Sequence, residues 1–399
     1  MKKSGSGVLL LACLLGWAFA ACEGERDVPV ATERDSAGIR IVTSDRPLEE
    51  WGLSDEPDLD LGSVGSPGPT EFFQIEAAQF LPDGGFVVAH RSTEELRFFG
   101  ADGAFLRAVG RNGHGPEEFR GLSWVAVSGD SLLAYDWGND RVSVRDHTGV
   151  YGRSFRRELV SGRFGPPVLL EDGMLLSLSA QHMTELEGTG TVLDQGLVSR
   201  HDLTGVLIDS LGRFPVMQRV VHREGYRQTT VSLPLSSRAD LAAQGNGFCY
   251  VFGSAFSVRC FDSEGGLRSI ARVDSLPRLV TPDDVEATFE HELELAREAR
   301  NVPREQALLR ARPSMTFPEA LPAFTELLTD DEGRLWARKY ELPGHARAEW
   351  WIFDEGVWVG RLRADPAFRA MDVRENRVLG VWRDDLGIEH LRMYRFGRS

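Results

Sequence analysis

VGRNGHGPEEF, residues 109–119, sets Gly110, Gly113 and Gly115 around His114 and then adds Glu117 and Glu118. At first sight it could be a phosphate loop or a metal site. A phosphate loop, however, needs Gly-Lys-Ser/Thr entering a helix, and this stretch runs into the strand-like SWVAV, 123–127. It also has a twin. GSVGSPGPTEF, 62–72, aligns with 110–119 once the extra Pro67 is allowed for, and it carries Ser66 or Pro67 where the other copy has His114. The histidine is therefore not part of the repeat. Gly68, Gly115 and the prolines after them shape a passage between structural units. Glu71 and Glu118 are expected to anchor that passage by accepting backbone hydrogen bonds.

The repeat extends beyond the motif. AAQFLPDGGFVVAHR and ELRFFGADGAFLRAVG follow the first copy, and WVAVSGDSLLAYDWGNDR and RVSVRDHTGVYGRSF follow the second. Each unit reads as strand, tight turn, strand, loop, strand, tight turn, strand, with alternating apolar and polar residues. The first turn recurs near Gly84, Gly129, Gly173, Gly245, Gly333 and Asn376, and the second near Gly103, Gly149, Gly205, Gly265 and Gly356. These residue types tolerate the positive φ of tight turns. The sixth unit ends after IEHLRMYRF without a fourth strand, and DLDLGSV (58–64) is placed to supply it.

The expected fold is therefore all-β. It is a six-bladed β-propeller of four-stranded blades, residues 37–399, closed by an N-terminal strand so that few sheet edges are left open. Residues 181–196 and 214–236 widen blades three and four as loops. A helical insertion, about 281–312, separates blades four and five. It has Thr281 as N-cap, Pro282 at the first helical position and an apolar face through Phe289, Leu293 and Ala296.

The leader fixes an address. Lys2 and Lys3 precede a short apolar run that ends in AFAAC, so 1–21 reads as a signal peptide. Ala20-Ala21-Cys22 resembles the end of a bacterial lipobox, with Cys22 as the lipidated residue. Glu23 rather than Asp after it points to the outer membrane, facing the periplasm or the exterior. Residues 22–36 read as a flexible tether. Cys249 and Cys260 are the two cysteines left in the domain. They flank a hairpin and form a disulfide if the register puts both on one face, and are buried thiols otherwise. Among the 399 residues, 45 Lys and Arg face 60 Asp and Glu, a formal charge of −15. That balance argues against nucleic acid as a partner.

With the lipoprotein-like leader, SAGIRIV (36–42), the paired GxGPxEF motifs and LPAFTELLTDDEGRLW (321–336), the chain resembles bacterial six-bladed propeller proteins related to the NHL-repeat group. Thr70 and Glu117 stand where that group usually has Gly. The resemblance implies the fold and an extracytoplasmic location, and no particular reaction.

Propeller ligands usually meet the face built by the loops between strands two and three and those between successive blades. On that face the sequence places His90, Arg91, Asp136, Trp137, Asn139, Asp140, His182, Lys339, Tyr340, Trp382 and Arg383. Arginine beside aromatic side chains suits a small anionic or carbohydrate ligand, or a protein surface. The function expected is a non-catalytic, membrane-tethered binding or scaffold lipoprotein, with no catalytic residue and no cofactor assigned. The alternative is a channel-site metal-dependent hydrolase or lactonase, for which Asp136, Asn139, Asp140 and Asp384 would converge as oxygen ligands for calcium.

Overall fold

The computed structural model describes residues 30–62, 68–158, 163–180 and 189–398. Residues 1–21, read above as a signal peptide, Cys22 and His182 lie outside the described residues. The rest is mostly β with two helices.

Strand pairing divides the chain into consecutive antiparallel meanders. The first runs through Ile75–Phe80, Phe86–His90, Glu95–Phe99 and Phe105–Val109, and the second through Leu122–Ser128, Ser131–Asp136, Arg141–Asp146 and Tyr151–Phe155. The third is built on Val168–Leu169, Leu175–Ala180, Gly190–His201 and Leu207–Glu224. The fourth begins at Asp240–Gln244, the fifth at Phe324–Thr329 and the sixth at Phe368–Arg374. Most neighbouring meanders touch through their first strands, and that of the sixth packs on that of the first, so the row closes into a ring. This arrangement is a β-propeller.

The turn residues act as their chemistry requires. All six first-turn positions named from the sequence have positive φ, as do all five second-turn glycines. At Gly205 a Cβ would lie 2.0 Å from the Arg156 carbonyl oxygen, so the turn tolerates no side chain. The preceding aspartates cap these turns. Asp146, Asp202, Asp262 and Asp384 each accept two backbone N–H groups from the residues that follow.

Between meanders the cores are apolar. Phe98, Leu96 and Val87 meet Phe119, Leu122 and Val125 between the first two, and Trp336 and Trp350 meet Phe368 and Val373 between the last two. Trp336 is 1% exposed and wedges there, as its flanking Leu335 and Ala337 indicate.

The N-terminal segment is more ordered than its composition implies. Ala31–Ser36, inside the stretch expected to be a flexible tether, is a strand paired antiparallel with Ile39–Ser44. Ile39–Ser44 in turn lies parallel to Leu267–Val273, the outer strand of the fourth meander. Glu49–Leu53 runs parallel to the outer strand of the fifth meander and also pairs with the chain's last strand. Leu59–Leu61 pairs antiparallel with Leu391–Met393, the position foreseen for 58–64. The segment thus fastens three sheet edges that would otherwise be open.

The wide segment 214–236 belongs to the third meander and is strand rather than loop. Leu207–Glu224 pairs with Gly190–His201 and with Arg227–Ser232. The two helices, α1 (Pro282–Glu298) and α2 (Val302–Ala311), fold against this extension. Thr281 and Asp284 form a capping box, and Phe289, Leu293 and Leu308 cluster with Val231 and Met315. The apolar face of α1 is thereby covered within the chain.

Candidate functional site

The repeated motif is built the same way twice, and this settles several polar residues. Arg97 Nη1 donates to the carbonyls of Pro69 (3.0 Å) and Glu71 (2.8 Å). Arg141 does the same in the second copy, to the carbonyls of Gly115 and Glu118 and to that of His114 at 3.2 Å. The residue after each motif phenylalanine then latches onto the end of a second strand. Phe73 N–H donates to His90 Nε2 (3.0 Å), and Arg120 N–H to Asp136 Oδ1 (3.1 Å). Finally, the first residue of each following strand finds a carboxylate on the preceding meander: Ile75 N–H on Glu389 (2.7 Å) and Leu122 N–H on Glu94 (2.8 Å). These are buried backbone donors, and each would cost about 1–3 kcal/mol if left without an acceptor.

Four residues expected at a ligand face make contacts within the fold. His90 is 2% exposed, and its Nδ1 meets Thr93 Oγ1 at 2.7 Å. Burial, with Arg97 nearby, presses its imidazole down to about 4, so it is neutral at pH 7. Asp136 has no exposed surface and also accepts from the backbone N–H and side-chain amide of Asn139. Asn139 in turn donates to the Gly113 carbonyl and meets His114 Nδ1 at 2.7 Å. Asp140 sits at φ 50° with the Tyr135 hydroxyl 3.4 Å away. Among the described residues, no group of three or more His, Cys, Asp or Glu side chains could hold a metal ion. Asp136 and Asn139, two of the residues named for calcium, are engaged in these latches, and Asp384 caps its own turn.

Glu118 anchors its loop as expected. It accepts from Gly115 N–H at 2.7 Å and pairs with Arg111 at 2.8 Å, and these two contacts hold its carboxyl below the usual range. At Glu71 the side chain is exposed, and the carbonyl rather than the carboxylate carries the contact.

Lys339, Tyr340 and Arg383, expected from the sequence, line two neighbouring pockets. Arg338, Arg369 and Arg383, from the fifth and sixth meanders, line a 220 Å³ pocket floored by Ile75, Met371 and Val381. A neighbouring 330 Å³ pocket shares Arg338 and Pro366 and adds Lys339 and Tyr340. Each arginine is steadied on one side. Arg338 faces Glu326 at 3.5 Å, Arg383 pairs with Glu389 at 2.7 Å, and Arg369 donates to the Glu76 carbonyl at 2.9 Å. Arg91 pairs with Glu76 at 3.0 Å and lies 5.6 Å from the ring centre of Trp137, which is 45% exposed. Tyr340 is pushed up to about 12, first by burial and then by the charges of Glu292 and Asp284 on α1.

Trp382 does not join the pocket. Its Nε1 donates to Asp365 at 3.1 Å, its ring carries the Arg392 guanidinium at 3.6 Å, and it packs in the core between the last two meanders. Arg369 was missed in the sequence. It is the second residue of its strand, and nothing local separates it from a solvated charge.

Cys249 and Cys260 stand directly opposite in the register and form a disulfide, Cα–Cα 4.0 Å. A cross-strand disulfide fits an oxidising, extracytoplasmic compartment.

No family model and no curated protein matches the sequence. Solved structures do resemble the fold. A protein assigned as exported from Bacteroides fragilis aligns with TM-score 0.50 and 12% identity over 90% of this chain and 98% of its own. A member of the DUF4221 family from Bacteroides vulgatus aligns with TM-score 0.51 and 10% identity over 88% and 100%. A virginiamycin B lyase from Staphylococcus aureus gives TM-score 0.42 and 8% identity over 87% and 99%. At these identities the likeness is one of fold alone.

Proposed function

We propose that the chain is an extracytoplasmic binding propeller whose ligand, an anionic small molecule or an acidic protein segment, docks at the arginine-lined mouth. In this reading the six meanders are the six blades and Leu59–Leu61 completes the last of them. The mature chain begins at Cys22, acylated and tethered to the outer membrane.

The observation that carries the reading is the convergence of Arg338, Arg369 and Arg383 on one pocket of a protein with net charge −15. Clustered guanidinium groups repel one another, and a carboxylate or sulfate relieves that repulsion with forked hydrogen bonds. The disulfide and the leader support the compartment.

The test is a thermal-shift screen of the exported chain against organic acids, uronic acids, neutral sugars and divalent metals. The reading expects a saturable rise with one or more acids, lost in the Arg369→Gln, Arg383→Gln double variant. A rise confined to calcium, or consumption of a lactone by the wild-type chain, would replace it with the hydrolase reading. Mass spectrometry of the mature N-terminus tests the anchor, with a diacylglyceryl adduct on Cys22 as the expected result.

A further inference from the structure

The cationic surface continues beyond the 220 Å³ and 330 Å³ pockets. A third pocket, of 770 Å³, adjoins them, and Pro366 lines all three. Pro366 lies in the short passage between Val357–Ala364, the outer strand of the fifth meander, and Phe368–Arg374, the first strand of the sixth. The third pocket is walled by outer elements: Arg363 and Ala364 from that outer strand, Arg392 and Tyr394 from the last strand, and Gly52 and Leu53 from the N-terminal segment. The pockets thus form a series that runs from inner strands outward. Together they exceed the roughly 1,000 Å³ at the upper end of pockets that hold one small ligand.

The sign of the charge is constant along the series. Seven Arg and Lys side chains line it against three Asp and Glu, in a chain whose formal charge is −15. One of the three acids, Asp365, already accepts Ala367 N–H at 2.8 Å and Trp382 Nε1–H at 3.1 Å. Arg347 stands at the joint, lining both the 330 Å³ and the 770 Å³ pocket. It is exposed, and it makes no hydrogen bond or ion pair among the described residues. Arg338, Arg369 and Arg383 each hold an internal partner; Arg347 has none.

Each of these two outer pockets also carries a half-buried tyrosine, Tyr340 or Tyr394, beside its cations. A phenol offers a flat apolar face and a hydroxyl, which matches a sugar ring and its hydroxyl groups. A guanidinium matches a ring carboxylate. An acidic peptide finds less here. Peptides commonly add a strand to an open sheet edge, and Glu49–Leu53, the strand on the outer wall, is already paired on both sides.

We infer that the three pockets are successive subsites for an acidic oligosaccharide, a linear chain of uronate residues, with Arg347 taking a carboxylate where the chain passes between pockets. The inference rests on the proposed binding role of the arginine-lined pocket and adds the class and length of its ligand.

Isothermal titration of the exported chain with galacturonate, tetragalacturonate, maltotetraose and tetraglutamate at constant ionic strength tests it. Tetragalacturonate should bind at least about tenfold tighter than galacturonate, since each further carboxylate meets another guanidinium. It should exceed maltotetraose, which has the length without the charge, by a similar factor. Arg347→Gln should weaken tetragalacturonate binding about tenfold and leave the Tm unchanged, because the side chain supports nothing in the fold. Equal affinity for galacturonate and tetragalacturonate would overturn the subsites and leave the binding role of the arginine-lined pocket standing. Binding of neither overturns them too, and that role then stands or falls with the other acids of the thermal-shift screen. The inference fails equally if Arg347→Gln leaves the tetragalacturonate affinity unaltered, or if maltotetraose binds as tightly. Tetraglutamate binding tighter than tetragalacturonate would overturn the saccharide and assign the series to an acidic protein segment.

Discussion

Asp240 opens the first strand of the fourth meander and accepts Leu327 N–H from the fifth at 2.7 Å. Burial, reinforced by Glu326, pushes its carboxyl up to about 7. A raised folded pKa means that the folded state holds the proton where the unfolded chain, titrating near 3.8, has released it. The contribution to stability is therefore intact below about pH 4 and falls as pH rises toward 7. With those two values, linkage gives a loss of about 3 kcal/mol between pH 5 and pH 8. Asp240 is half-buried rather than sealed, and solvent screening discounts this to about 1–2 kcal/mol. Asp240→Asn retains an acceptor for Leu327 and carries no charge, so its stability relative to wild type should improve by that amount from pH 5 to pH 8. The comparison must be made between the two proteins. His90, held near 4, contributes stability that grows as pH rises from 4 to 6.5, and it masks the Asp240 slope in either protein alone. Urea unfolding at pH 5, 6.5 and 8 measures the difference. A constant difference across the three, or one that shrinks with pH, would refute the assignment of a raised carboxyl to the joint between meanders.

Two further outcomes follow from the same joints. Arg141→Ala strips the donor from the carbonyls of His114, Gly115 and Glu118, and should destabilise the chain by about 2–4 kcal/mol in chemical denaturation. Arg141→Lys should recover less than half of that, because an ammonium cannot span the carbonyls. Replacing Cys249 and Cys260 together by Ala opens a loop of sequence separation 11 and should cost about 3 kcal/mol, seen as an equal shift on adding reductant to the wild-type protein and as no response to reductant in the variant.

The parts of the fold that were legible are those with local causes. Asp-x-Gly turns, alternating strands and the Thr281 cap each write their geometry into a few adjacent residues. The repeat at 62–72 and 110–119 then set the period. The N-terminal strands left no such trace. Ile39–Ser44 and Glu49–Leu53 pair with strands more than 200 residues away, and parallel pairing at an outer edge demands no particular turn. Their order comes from edges that the rest of the chain leaves open. The site was harder for a related reason. A polar residue at the end of a second strand can point to solvent or receive a loop that crosses over it. His90 and Asp136 received the loop because Phe73 and Arg120 bring unpaired N–H groups to them, and that depends on a loop arriving from the preceding meander.

The arginines divide on the same ground. Arg97 and Arg141 lie two positions apart in the register of their third strands, opposite Val88 and Asp136, yet each reaches back to the carbonyl of its motif glutamate, Glu71 or Glu118, so the motif explains them. No repeat explains the group at the mouth. Arg338 and Arg383 lie at the ends of second strands, the penultimate and the last residue, whereas Arg369 is the second residue of a first strand, and each leans on a different partner. Arg383 remains 63% exposed even while its Nε and Nη2 hold Glu389. Glu389 also takes the N–H of Ile75, the residue that floors the pocket. The carboxylate that seals the ring between the sixth and first meanders thus also orients a cation at the mouth. Ligand binding there should therefore tighten the closure of the ring, and the stabilisation seen in a thermal-shift assay would be expected to disappear in Glu389→Gln even though Glu389 does not line the pocket.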